Sequence, residues 1–302
     1  MSDTVKKSTI YARVKGINTS DSMFNVTVEL ADSTIMNLKT NLNLDLHQGY
    51  IYQFEIAQNT NSERLVAFLM SATRLQDICD LELVDSVYRT FDKKNPLQLS
   101  ELVNDIYSYI ERIDNKILHD ITKKLIDDNR EAFFIYPAAT RMHHAYVGGL
   151  AYHTVGMLHL ADGFLANYTY LSKDYLYSGI ILHDLGKIIE FSGVENTEYA
   201  VPGQLLGHLV IGGLFVSECA KTLGYSDKEE VLLLEHMIIS HHGQPNFGAA
   251  KKPQTAEAEV LWYIDTLDSK LRVLGEELSH TKPGEFTDTI GVLEKTKFYN
   301  HN

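Results

Sequence analysis

Residues 174–191, DYLYSGIILHDLGKIIEF, decide how the second half of the chain is read. Their apolar positions recur at a helical period, and the run Ile180-Ile181-Leu182 delivers His183 and Asp184 into apolar surroundings. Burying such a pair costs several kcal/mol unless something compensates it, and a metal ion is the natural compensation. The chain carries its own control. A second His-Asp pair, His119-Asp120 in ILHDITKK, sits in a polar helix with no glycine after it, so it is not expected to bind metal.

The same habit extends outward from this stretch. Helical periodicity begins at Leu102, Ile106, Tyr109 and Ile113, with Ser100 placed to cap the start. It continues through GLAYHTVGMLHLADGFLANY, HLVIGGLFVSECAKTLG, KEEVLLLEHMIISHH and AEAEVLWYIDTLDSKLRVLGEEL. Residues 99–280 are therefore expected to be all-helical. His153, His183 with Asp184, His208, His241 with His242, and Asp265 each fall on or at the end of a different helix. A metal site in a helical bundle needs that distribution, because facing helices each contribute one or two ligands. Imidazole and carboxylate together suit manganese, iron, cobalt or zinc, and Asp184 could bridge two such ions. Asp268, three residues after Asp265, competes with it as a ligand, whereas His236 lies off the face of His241 and reads as structural. His47 and His159 read as surface or packing residues.

Residues 8–75 read differently. TIYARVKGI, MFNVTVEL, STIMNLKT, YIYQFEIAQ and RLVAFLMSAT are short segments rich in β-branched and aromatic residues, separated by turn signals. Five strands at this spacing predict a small OB-like barrel over 1–75. Residues 76–98, ending in DKKNP, read as a connector whose aromatics suggest self-association, and 281–302 as a tail without clear period. The fold class is thus multidomain α+β, an N-terminal OB-like β-barrel followed by an all-α domain.

The formal charge of −13 weighs against a broad basic nucleic-acid footprint, but 1–75 are balanced at seven basic and seven acidic residues, so the acid excess lies downstream. Bound cations would offset part of it. Cys79 and Cys219 stand far apart without a CxxC partner, which excludes a disulfide framework or zinc ribbon. No secretory leader and no long uncharged apolar run is read, so a cytoplasmic protein without membrane association is expected. Phosphate-binding loops, dinucleotide fingerprints and serine elbows are missing from the sequence.

The order His153, His183-Asp184, His208, His241-His242, Asp265 resembles the HD superfamily of metal-dependent phosphohydrolases. More narrowly, PAATRMHHAYVGGLAYHT, HDLGK, GHLVIGG, HMIISHHG, YIDTLDSKL and the closing GEFTDTIGVLEKTKFYNHN resemble the YhaM-type 3′ to 5′ exoribonucleases. The resemblance runs from about residue 90 onward. It implies an HD-type domain behind an OB-type domain, acting on single-stranded RNA, with single-stranded DNA as a second candidate, and releasing nucleoside 5′-monophosphates. It also implies two divalent ions, Mn2+ first, with Fe2+, Co2+ or Zn2+ as alternatives. One would be held by His153, His183, Asp184 and Asp265, the other by Asp184, His208, His241 and His242. Asp184 and Lys187 would be catalytic, with Lys187 contacting a phosphate. His144 would protonate the leaving oxygen or, with His143, hold the terminal nucleotide. Two other functions stay open: a phosphohydrolase of free nucleotides or cyclic dinucleotides, and a non-catalytic nucleic-acid-binding regulator.

Overall fold

The computed structural model describes residues 5–20, 23–59, 67–92, 98–140 and 146–301. They form two compact units, residues 1–96 together with 193–196, and residues 97–192 together with 197–302.

In the first unit, five strands pair in the cyclic order β1-β2-β3-β5-β4: β1 Val5–Ser20, β2 Met23–Glu29, β3 Ile35–Thr40, β4 Ile51–Asn59 and β5 Ala67–Arg74. The closure depends on the length of β1. Its first half pairs antiparallel with β4, and its second half pairs antiparallel with β2 after a register shift between Val14 and Gly16. Such an irregularity bends a strand and increases its twist, so one strand can serve two neighbours around a small barrel. A short parallel pairing, Leu38 with Ala67, joins β3 to β5. Alternation places Ala12, Val14, Val26, Val28, Leu38, Tyr52, Phe54, Ile56, Ala67 and Leu69 inside. The first four strands of the sequence reading are thus found within a few residues of their expected bounds, and Arg64 to Val66 of the fifth lie outside the described residues.

The stretch 76–98, read as a connector, holds helix α1, Leu81–Phe91, capped by Asp80, whose side chain accepts from the Leu83 amide. Its aromatics are not exposed as expected. Tyr88 is buried and Phe91 lies under the Arg13 guanidinium, because α1 is amphipathic and turns Leu81, Val84, Val87 and Tyr88 inward.

The second unit is helical: α2 Leu99–Ile110, α3 Lys116–Asp128, α4 Arg130–Ile135, α5 Gly149–Asn167, α6 Lys173–Leu182, α7 Lys187–Glu190, α8 Val201–Leu223, α9 Glu229–Ser240 and α10 Ala256–His280. The start of α2 differs from expectation. Gln98 and not Ser100 is the cap, because Glu101 reaches back to the Gln98 amide and closes a reciprocal box two residues earlier. Helix α5 packs on α6 and α10, α6 on α9, and α8 on α7 and α9, which turns the inner ends of five helices toward one centre. By composition α8 is long and apolar enough to span a membrane; it is kinked at Gly207 and carries buried His208, and it leaves Val201, Leu205, Leu206, Val210 and Leu214 exposed. The tail folds back on itself through bridges Phe286 to Tyr299 and Ile290 to Thr296, around a short 3-10 turn at Gly291–Leu293. Both cysteines are free, Cys79 exposed and Cys219 buried, and burial pushes the Cys219 thiol up to about 11.

Candidate metal centre

The seven residues expected as ligands converge. His153 comes from α5, His183 caps the end of α6 with Asp184 next, His208 lies in α8, His241 and His242 follow α9, and Asp265 lies in α10. Asp184 is central. Its Oδ2 lies 3.2 Å from His183 Nε2, and its Oδ1 lies 3.3 Å from His208 Nε2 and 3.7 Å from His241 Nε2. His208 Nε2 and His242 Nε2 face each other at 3.3 Å, and His153 Nε2 lies 3.1 Å from Asp265 Oδ1. The donor atoms fall into two groups that could each hold an ion, one of His153, His183 and Asp184 and another of His208, His241 and His242.

The outer nitrogens fix which ring atoms face inward. His183 Nδ1 lies 2.7 Å from the Ile180 carbonyl and His241 Nδ1 2.7 Å from that of Ile238, both of which are acceptors. His153 Nδ1 lies 2.8 Å from Asp268 Oδ2, and His208 Nδ1 2.9 and 3.0 Å from the two oxygens of Glu190. An Nδ1–H donating outward leaves the Nε2 lone pair of a neutral ring directed at the centre, the tautomer a metal ligand needs. Burial, reinforced by the neighbouring His183 and His242, holds His241 well below the ordinary histidine range and so neutral.

At this centre, among the described residues, three buried atoms make no hydrogen bond: His183 Nε2, His241 Nε2 and Asp184 Oδ1. Buried polar atoms of folded proteins are almost always paired, so three orphans on one spot mark a place for a cation. Charge agrees. Asp184, Glu190, Asp265 and Asp268 cluster here against the cations Lys187 and Arg272. Burial opposes ionisation of Asp184, yet His183 and Lys187 outweigh it and hold its carboxyl well below the usual range. Burial likewise pulls the His153 imidazole down, but hydrogen bonds to Asp265 and Asp268 raise it to about 9. A proton shared there occupies a position that a bound cation would take over. The donor set therefore fits divalent ions.

Local backbone geometry places His208. Gly207 has φ +73° inside α8 and breaks the helical hydrogen-bond ladder, and the His208 amide donates to Glu190 Oε1 at 3.1 Å. Glu190 thus holds both the amide and the ring of one ligand. The Lys187 side chain is drawn inward: its Nζ lies 2.6 Å from Asp184 Oδ2, and burial, which lowers its basicity, is outweighed by Asp184. A cavity of about 160 Å³ opens over this centre, walled by His153, Asp184, Lys187, His242 and Asp265.

Of the two aspartates that competed in the sequence reading, Asp265 lies on the inner nitrogen of His153 and Asp268 on the outer one, where Arg272 also holds it at 3.3 Å. His236 accepts the Gln254 amide at 2.9 Å, a structural contact. His119 and Asp120 take no part; Asp120 bonds Lys116 and Tyr225. His143 and His144 lie outside the described residues. Glu190 is the residue that the sequence reading missed, and its one local signal is an acid closing the apolar KIIEF run.

Residues 150–270 match the HD domain family, a span that contains all seven converging residues. The chain carries an HD domain. The chain is 45% identical over 204 residues to a protein of Bacillus pumilus (strain SAFR-032) named 3'-5' exoribonuclease YhaM, covering 68% of this chain and 65% of that protein. It is 44% identical over 204 residues to a protein of the same name from Geobacillus sp. (strain WCH70), covering 68% and 63%. The matched stretch thus spans somewhat less than two thirds of those relatives. No solved structure matches the chain.

Proposed function

We propose that the protein is a 3′ to 5′ exoribonuclease that hydrolyses single-stranded RNA to nucleoside 5′-monophosphates, with single-stranded DNA as a second substrate. The observation that carries this reading is the set of orphaned inward-facing donors around Asp184, in a chain whose relatives carry that name. His153, His183, Asp184 and Asp265 would hold one divalent ion, and Asp184, His208, His241 and His242 the other. The division follows Asp184, whose two oxygens face different histidines. Two ions in these places would supply Lewis-acid activation of water and of the phosphodiester. Lys187, held charged by Asp184, points into the small cavity and is placed to donate to a phosphate oxygen. Mn2+ is the first candidate ion, and imidazole with carboxylate equally admits Fe2+, Co2+ or Zn2+.

We read the barrel as an OB-type nucleic-acid-binding domain. Its strand order supports this, as do Phe68 and Lys39, paired neighbours on β5 and β3 that are both exposed on its outer surface. An aromatic face beside a cation suits stacked bases and phosphate.

The test is a time course on RNA labelled at its 5′ end, with a free or a blocked 3′ end, in Mn2+ and in chelator. The expected outcome is progressive shortening from a free 3′ end, release of 5′-monophosphates and silence in chelator. Degradation of blocked RNA at the same rate, or turnover of free nucleotides without turnover of RNA, would overturn the reading.

A further inference from the structure

A second cavity of about 420 Å³ adjoins the metal centre. It shares His242, Asp265 and Ser269 with the smaller one, so the two form a single site with two chambers. The walls belonging to the larger chamber alone are Trp262, Thr266, Lys270 and Val292.

Most of that wall is one face of α10. Trp262, Asp265, Thr266, Ser269 and Lys270 recur at intervals of three and four residues, which stacks them along one side of the helix. Along this face an apolar ring, itself stacked on Tyr263 with centroids 5.0 Å apart, gives way to a candidate metal ligand, then to two hydroxyls and an ammonium. The Trp262 ring is anchored to the metal centre as well. Gly243 directly follows His241 and His242, has φ +74°, and lies so close to the indole that a Cβ there would come within 2.1 Å of it. From the other direction the folded tail supplies Val292.

A ligand for this pair of chambers needs a phosphate for the small one. For the large one it needs a body that is flat and apolar at one end and hydroxylated near the phosphate. A nucleoside 5′-phosphate has that sequence of groups, and about 420 Å³ lies within the range of small-ligand sites. We propose that the larger chamber seats the 3′-terminal nucleoside of the substrate, with its base against Trp262, its sugar beside Thr266 and Ser269, and its 5′-phosphodiester in the metal chamber. The proposal rests on the exonuclease reading. In that reading water adds to phosphorus, the bond to the 3′ oxygen of the preceding nucleotide breaks, that oxygen takes a proton, and the occupant of the large chamber leaves with the phosphate.

Trp262 is the single tryptophan of the chain, so tryptophan emission reports on this chamber alone. With the full-length protein loaded with Mn2+, titration with adenosine 5′-monophosphate should change the emission saturably, while inorganic phosphate, which fills only the small chamber, should not. Trp262→Leu should raise KM for single-stranded RNA about tenfold, change kcat much less and leave bound Mn2+ unchanged, and Trp262→Phe should recover most of the loss. Unmoved emission with adenosine 5′-monophosphate, or a wild-type KM in Trp262→Leu while RNA is degraded, would sink the seat and leave the exonuclease reading standing. Absence of RNA degradation by the unaltered protein would sink the exonuclease reading instead. The emission titration uses the unaltered chain, so a misfolded Trp262→Leu would not block the decision.

Discussion

The centre of the barrel and the centre of the HD domain are built on opposite principles. The barrel's inner cluster, from Ala12 to Leu69, is apolar apart from the Tyr52 hydroxyl, which accepts the His47 amide. At the heart of the HD domain, buried imidazoles and carboxylates leave three polar atoms without partners. Apolar packing is satisfied by the chain itself, whereas a polar centre of this kind is completed by something that the chain does not encode. The first is built for stability and the second holds an unmet requirement for cations.

The sharpest way to break this contrast is to change the carboxylate shared by both halves of the metal centre. Asp184→Asn keeps the shape, loses the charge, and is preferred to alanine because Lys187 would otherwise be left facing an empty space. RNA hydrolysis should fall by at least about a thousandfold and bound Mn2+ should drop to background, while thermal unfolding of the barrel is unchanged. Elemental analysis beside the RNA assay checks it, and retained metal would mean that Asp184 is not the bridge. The converse change is Phe54→Ala, which opens a hole at a fully buried position. It should cost about 3–5 kcal/mol in the barrel, seen in denaturant melts, without altering Mn2+ affinity. Weaker Mn2+ binding in that variant would mean that the two centres are coupled.

The smallest expected effect is on pH dependence. In the metal-free protein, His153 is raised to about 9 in the fold from an ordinary 6.5. A raised histidine adds stability that is fully present below pH 6.5 and lost as pH rises through about 9, on the order of 2–3 kcal/mol over that window. Melting temperatures in chelator should therefore fall between pH 6.5 and 9, and His153→Gln should flatten the slope. Affinity for Mn2+, which displaces that proton, should rise over the same interval. A flat profile in the unaltered protein would remove the shared proton from the account.

Much of this contrast was legible in the sequence. Period-two apolar segments set off the strands, and histidines at the ends of separate apolar helices marked the centre, because local pattern dictates both. The arrangement of second contacts was not. Glu190 reaches His208 only because Gly207 turns the backbone of α8 to a positive φ, and no local signal couples positions 18 residues apart. Trp262 read as one more apolar residue of a helix until Gly243 and Val292 placed it at a cavity wall. Helix α1 was hidden in an apparent connector because its apolar face is only four residues long. The tail turns at Glu294 and Lys295, both at φ +57°, where no glycine announces a turn.

His153 and Asp265 meet across 112 residues of intervening chain. During synthesis the donor set stays incomplete until α10 has emerged, long after the barrel can close. A ribosome-bound fragment ending before Asp265 would thus lack a complete donor set.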